Sequence, residues 1–552
     1  MSNSEQHRQD TQHAFLVAWG WFAEHLGLIQ QLQAVSLKQK HYHHRPQTKV
    51  LEFLVAILAG LQHLQDISLA AHPLDKDQAV AQAWVQPAWA DYSGVSRTLS
   101  GLSWEEVKQI VQVLEQISQP YIDTEVQVLR SQGKRLRLDG DLTGIPVSTT
   151  SRTYPHAAFG HMDDEIRLGY QAGVVSLESP TYGRLWLSVA HHPGDTVSCT
   201  QAEALVLAAE ARLKRQPRRR TELLRQRIHA FEQQVAQAGE RWETQQQAVK
   251  RAQERLAEAE QQVQQRKSQL DELEKDYQIR QRKERPTSHL AQARRRLQAA
   301  VKRSNSRASA WKEAQRRLDK TTAQRSHQQS ELAHLSQRLL RFEQDNAANS
   351  EPVEAEFRLD AGFGTYENVA LLIEMGYDLY TKPHSHKVVT ALKLQVDDTT
   401  VWTPVGANAE LVAWSALHLP NCPYPLDVAL ERFYTGKTLK QSALFHFGAQ
   451  RVTEQLPGWF QQYNGRQTIE AGMKESKQVF YLHHLKVRSE PAIALQEAFV
   501  MFAANCIRWA SRLFGSPDAT GRKRSECAQA GRQTPGASSG PCLGAGHPGF
   551  SR

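Results

Sequence analysis

The stretch YNGRQTIEAGMKESK, Tyr463 to Lys477, decides the reading of this chain. Tyr463, Arg466, Glu470 and Lys477 are separated in it by two, three and six residues. Arg466 and Lys477 lie near one and two helical turns from Glu470, so a helix here brings two cations to the face that carries one carboxylate. Taken alone, such a cluster is an ordinary set of ion-pair neighbours on a helix surface.

Acidic residues elsewhere give it more meaning. The run EAEFRLDAGFG reads as a strand ending at Asp360, directly before a glycine turn. YENVALLIEMG, Tyr366 to Gly376, reads as a helix, and YDLYTKP as the next strand, a parallel βαβ unit. Upstream, KRLRLDGDLTGIPV reads as a strand with Asp139 and Asp141 at its end. GYQAGVVSLES and YGRLWLSVAHH follow as two further strands, an antiparallel start to a sheet. Carboxylates at strand ends and on a neighbouring helix can converge and hold divalent metal ions, while open coordination positions take phosphate oxygens and water. For any one of these aspartates, a turn or cap role is the plain alternative.

The combination resembles the transposases of bacterial insertion sequences that carry a Y-R-E-K signature. LDAGFG resembles their second-aspartate motif, LDGDLTG their first, and FAANCIRW, Phe502 to Trp509, the apolar helix that closes their catalytic domain. The resemblance spans roughly residues 130–210 and 350–512. It implies a DDE enzyme with an RNase H-like α/β core, a mixed sheet flanked by helices. It implies metal ligation by Asp141 or Asp139, with Asp360 and Glu470. Asp141 is favoured because it precedes Thr143 by two residues, but strand geometry could choose Asp139. The cofactor is then two Mg2+ ions, with Mn2+ able to substitute. Arg466 would fork onto a phosphate, Lys477 would act as a point charge, and Tyr463 would stack on or bond a phosphate near the cleaved end. The implied partners are double-stranded DNA, both element ends and target, and a second copy of the chain in a homodimer. The implied location is the bacterial cytoplasm, at the nucleoid. A catalytically inactive, domesticated DNA-binding relative is the alternative.

The rest of the 552-residue chain frames this core. Its net charge of +9 suits a polyanionic partner. The five cysteines form no CxxC pair, which speaks against a zinc ribbon and a disulfide framework. The polar N-terminus has no signal-peptide core, and apolar runs such as Val55–Leu61 are too short for a bilayer. Residues 1–125 read as a helical N-terminal domain for binding DNA ends. Phe15, Trp19, Phe22, Leu26 and Ile29 form one of its stripes, and Ser93–Val107 is either a helix-turn-helix or part of a plain bundle. Residues 126–212 read as the first half of the core and 349–515 as the second, with a small strand-rich insertion at 386–450.

Between the halves, residues 213–348 are almost free of glycine. They carry two apolar stripes broken at Pro286, which reads as an inserted antiparallel coiled-coil hairpin with arms of roughly 90–100 Å. This placement departs from the usual plan of the group, whose main insertion follows the second aspartate. The carry-over of a base-accepting aromatic to Trp402 or Trp414 is correspondingly weak, and core packing is the simpler role for both. TGKT at Thr435–Thr438 lacks the first glycine of a phosphate-binding loop, Glu431 standing in its place. HYHH (His41–His44) reads as a polar loop, and Asp163, Asp164 and Glu165 as a solvated turn. Residues 516–552, rich in Gly, Ser, Pro and Arg, read as a disordered tail.

Overall fold

The computed structural model describes residues 10–39, 43–150, 153–162 and 165–514. His41, the Asp163/Asp164 pair and the tail 516–552 lie outside them. The chain divides into two compact units: residues to Arg218 together with those from Glu351, and Arg219–Ser350.

In the first unit, six helices come first: α1 (Ala14–His25), α2 (Leu28–Ala34), α3 (Pro46–Leu58), α4 (Asp66–Leu69), α5 (Gln78–Ala83) and α6 (Tyr92–Ser100). The long α7 (Trp104–Ser131) begins at a capping box. The Ser103 hydroxyl accepts from the Glu106 amide, and the Glu106 carboxylate accepts from the Ser103 amide, so two amides that a helix start leaves unpaired are satisfied. Strands β1 (Leu136–Pro146), β2 (Ala158–Met162), β3 (Glu165–Ser179) and β4 (Gly183–Pro193) follow, then α8 (Ala202–Leu213). Helices α9 (Thr221–Ile279) and α10 (His289–Ala348) make up the second unit. The first unit resumes with β5 (Ala355–Arg358), α11 (Tyr366–Glu374), β6 (Asp378–Thr381), α12 (His386–Lys393), β7 (Thr403–Pro404), β8 (Ala409–Leu417), β9 (Leu426–Thr435) and β10 (Thr438–Phe447). It closes with α13 (Leu456–Asn464), α14 (Gln467–Val479) and α15 (Glu490–Phe514).

All ten strands form one mixed sheet in the order β2-β3-β1-β5-β6-β10-β9-β8-β7, with β4 on β3. The pairs β1/β5 and β5/β6 are parallel and the others antiparallel. The strand-rich segment 386–450 therefore extends the core sheet beyond β6. Its buried residues Leu411, Ala429 and Leu444 pack with Tyr380 of β6 and with Trp459 and Tyr463 of α13 in one apolar cluster. TGKT is the tight turn between β9 and β10, with Gly436 at a positive φ of 61°.

The N-terminal helices belong to the same compact unit as the sheet. Phe53 of α3 lies 5.9 Å from Phe499 of α15, ring to ring, and Tyr121 of α7 stacks on Trp509 of α15 at 4.1 Å. Every residue from Val50 to Ile57 is buried, so α3 is covered on all sides rather than presenting one apolar stripe. No helix among the described residues is long and apolar enough to cross a membrane.

In the second unit α9 and α10 run antiparallel. Arg225 pairs with Glu343 at 2.6 Å, Trp242 donates to Thr322 at 2.9 Å, and Arg294 pairs with Glu274 at 2.8 Å. Their buried side chains are few and partly small, among them Ala238, Ala259, Leu270, Leu335 and Phe342. At about 1.5 Å per residue each helix is close to 90 Å long.

Candidate active site

The parallel register between β1 and β5 ends on the pair Asp139 and Arg358. Two residues beyond it come Asp141, on the same face of β1 as Asp139 because side chains alternate along a strand, and Asp360, just past the end of β5. The strand β1 does not stop there, as its sequence suggests. It continues to Pro146 along its antiparallel partner β3, while β5 turns away after Arg358. Asp141 thus sits beside the open carboxyl end of β5, where α/β sheets commonly place a site.

Asp360 begins a single 3-10 turn, Ala361–Phe363. Its carbonyl accepts from the Thr381 hydroxyl at 3.0 Å, which ties the loop to β6. The loop then passes so close to Lys382 that a side chain at Gly364 would run into the Lys382 carbonyl. The Gly364 carbonyl in turn accepts from the His384 amide at 2.9 Å.

Three carboxylates meet around one guanidinium. Arg466 Nη1 bonds Glu470 Oε1 at 2.9 Å, and its Nη2 stands 3.9 Å from both Asp141 Oδ1 and Asp360 Oδ2. The two longer distances are ion pairs, too long for hydrogen bonds. Arg466 is buried at the junction of α13 and α14, directly before Gln467, so its side chain points back over the sheet. The Asp141 side chain is 17% exposed, that of Asp360 37% and that of Glu470 60%, so the group opens to solvent on the Glu470 side. Burial pushes the Asp141 carboxyl up to about 6; Arg466 and the Leu142 amide oppose this, and Asp360 and Glu470 add to it. Burial also works against the charge on Arg466, but the surrounding anions outweigh it and hold that guanidinium above its ordinary value.

Asp139 has a different environment. It is fully buried one rung deeper and receives two hydrogen bonds from Arg358, Nε to Oδ1 at 2.6 Å and Nη2 to Oδ2 at 2.8 Å. Arg184 of β4 adds a third at 3.2 Å and also donates to Ser176 and to Thr468 of α14. Arg358 further reaches Glu178 at 2.7 Å and the Gln462 carbonyl of α13 at 3.0 Å. This knot fastens the helices that carry Arg466 and Glu470 to strands β1, β3, β4 and β5. Of the two aspartates left open by the sequence, Asp141 is the one gathered with Asp360 and Glu470, because two arginines consume Asp139. Arg184 and Arg358 escape sequence reasoning. Arg358 stands two residues before Asp360 in the sequence, a faint signal, and Arg184 gives none.

Tyr463 lies in α13, 7% exposed in the apolar cluster with Trp459, and Lys382 sits 5.6 Å from its ring centre. Its place in that cluster makes the ring part of the core, and the burial pushes its hydroxyl above the ordinary range. Lys477 is half-buried in the last turn of α14. Trp414 lies on β8, with β6, β10 and β9 between it and β5, roughly 19 Å away at about 4.8 Å per strand. Trp402 lies just before β7 at the sheet edge, under the Arg432 guanidinium at 4.1 Å. Neither is brought to the carboxylates.

Among the described residues, no three His, Cys, Asp or Glu side chains are gathered closely enough to hold a metal ion. The donor chemistry nevertheless fits a hard cation. The three groups are carboxylates, and Asp360 Oδ1 is buried without a hydrogen-bond partner. Arg466 stands between them.

No family model matches the sequence, and no curated protein matches it. Among solved structures, a cryo-EM structure of a piggyBac transposase synaptic complex with hairpin DNA aligns with a TM-score of 0.36 at 9% identity, covering 96% of this chain and 80% of that one.

Proposed function

We propose that this chain is a DDE transposase that binds the terminal inverted repeats of its element and cuts and joins DNA strands. The observation that carries the reading is the meeting of Asp141, Asp360 and Glu470, from three separate segments, around Arg466. The Y-R-E-K spacing supports it independently. We assign an RNase H-like core to the body β4-β3-β1-β5-β6 with its flanking helices.

Asp141, Asp360 and Glu470 would hold two Mg2+ ions, or Mn2+ in their place. Held by these three carboxylates, such ions would lower the pKa of an attacking water or 3′-hydroxyl and would steady the departing oxygen. The chain's own residues do the rest. Asp139, through Arg358 and Arg184, fixes the helix that presents Glu470. Arg466 neutralises the carboxylates until cations do so, and is then free to fork onto a phosphate. Lys477, on the same helix face as Glu470, adds a point charge for the DNA backbone. Tyr463 anchors the turn before Arg466, its ring in the apolar cluster and its carbonyl accepting from the Arg466 amide at 3.0 Å. Two DNA ends call for two subunits, so a homodimer is the assembly we propose. A mass measurement giving one subunit per two ends would overturn that point.

The test is strand transfer with Mg2+ and inverted-repeat DNA. Wild type should join ends to target and Glu470→Gln should not; identical behaviour sinks the catalytic reading. The close Arg466–Glu470 bond favours a second reading, a DNA-binding relative that no longer cleaves. That reading predicts DNA binding with no joined product from wild type.

A further inference from the structure

The net charge of the chain is unevenly held. Residues 219–350 carry 28 Lys and Arg against 17 Asp and Glu, a net +11, so the remainder of this +9 chain is net negative. Within the hairpin the excess is concentrated again. From Arg280 to Arg317 there are 13 basic and 2 acidic residues, and no Asp or Glu occurs between Arg285 and Lys312. Helix α9 carries no such excess.

The basic residues of α10 also have a period. Adjacent pairs stand at Arg295/Arg296, Lys302/Arg303 and Arg316/Arg317, seven and then fourteen residues apart, with Arg307 in the gap. A spacing of seven returns to nearly the same helix face, so the pairs line one side of the rod. All seven side chains are exposed. Arg317 is paired within its own helix, to Glu313, whereas among the described residues Arg296, Lys302, Arg303, Arg307 and Arg316 have no acidic partner. From Arg295 to Arg317 is about 33 Å at 1.5 Å per residue, close to the 34–36 Å of one turn of duplex DNA.

We propose that this stretch of α10, with the Arg280–Arg285 turn, is a sequence-independent docking surface for duplex DNA. The partner follows from charge complementarity, since a duplex presents one negative charge per ~1.7 Å of axis. The exposed neighbours include Gln298, Asn305, Ser306 and Ser309; Val301 and Ile279 are exposed singly, and no exposed Trp, Phe or Leu stands beside them to anchor the rod in lipid. The biological identity of that DNA, target or flank, rests on the transposase reading. The binding itself does not.

The test uses the full chain and a 40-bp duplex of arbitrary sequence, with anisotropy followed from low to high salt. Replacing Arg295, Arg296, Lys302 and Arg303 by Gln should weaken binding at least tenfold at low salt. It should also lower the salt slope by about 3.6, at about 0.9 per phosphate contact. The control removes four exposed cations of α9, Lys250, Arg251, Arg255 and Lys267, and should change the slope by less than one. Circular dichroism of both variants, expected to match wild type, checks that the helices are kept. Wild-type affinity in the α10 variant, or equal losses in both, overturns the proposal. So does binding to phosphatidylserine vesicles in preference to the duplex. Duplex binding and strand transfer are read separately on the wild-type chain, so a failure of strand transfer leaves the docking result standing.

Discussion

Arg358 grips Asp139 with two parallel hydrogen bonds of 2.6 and 2.8 Å in the last paired rung of β1 and β5, and both residues are buried. Removing the carboxylate would leave two arginines, 358 and 184, without their buried counter-ion. Breaking such a pair costs about 3–5 kcal/mol. Asp139→Ala should therefore fail to fold, or show a sharply lower denaturation midpoint. Asp141→Asn should stay folded and lose strand transfer. The reverse pattern would move the first metal position to Asp139.

Stability should depend on pH through Asp141. Its carboxyl titrates near 6 in the fold and near 3.8 when unfolded, so the native state holds the proton more tightly. The wild-type fold accordingly loses stability as pH rises from about 4 through 6. Asp141→Asn lacks this loss. At pH 7.5 the variant should be more stable than wild type by up to about 3 kcal/mol, at 1.36 kcal/mol per unit. Below pH 4 the difference should vanish. Parallel urea-midpoint curves for the two proteins across this range would refute the claim.

Arg466 should trade places with cations. Without it, Asp141, Asp360 and Glu470 repel one another, so Arg466→Ala should melt lower than wild type in EDTA. Added Mg2+ should raise its melting temperature by more than it raises that of wild type, since a ligand at 100 times its Kd adds about 2.7 kcal/mol. Asp360→Asn and Glu470→Gln should blunt the Mg2+ response. A magnesium shift of equal size in all four proteins would show that the cation acts elsewhere.

Gly364→Ala should disturb Asp360 without touching it. A methyl group there meets the Lys382 carbonyl, which is backbone and cannot swing aside. The loop between β5 and α11 must shift, at roughly 1–3 kcal/mol. Strand transfer should fall further than the stability loss explains. An unchanged rate would mean that the loop tolerates the shift.

Part of the candidate site is legible in the sequence, because a strand end followed by glycine and a helix with spaced cations are local patterns. Asp360 and Glu470 read out on those grounds, and Thr143 points to Asp141. The fate of Asp139 is not local. It depends on Arg358 and Arg184, which reach it from 219 and 45 positions away. The length of β1 is hidden for a similar reason, since its far half pairs only with β3. The segment 386–450 reads as an insertion because it is rich in strands and loops. Only pairing of β10 with β6 reveals it as more of the same sheet. Residues 1–125 read as a domain because nothing in a helical stripe says which surface will cover it, and Phe499 and Trp509 lie hundreds of positions away.

The interrupted core also has a kinetic side. β1 and β5 are neighbours in space but distant in sequence, a separation that normally slows folding through the entropy of closing a long loop. Here the intervening chain is two helices whose ends meet. The Arg219 amide donates to Asn346 at 2.7 Å, Asn346 donates back to the Arg219 carbonyl at 2.9 Å, and the Val353 amide reaches the Gln216 carbonyl at 3.3 Å. Helices form within about a microsecond, far sooner than a sheet of this size. Once zipped, the hairpin shortens the route between β4 and β5 to residues 194–218 and 351–354, about the length of an ordinary crossover with its helix α8. The search for the β1–β5 pair then becomes that of a chain without the insertion, and swapping Arg219–Ser350 for a brief Gly-Ser turn should leave the refolding rate of the sheet nearly unchanged.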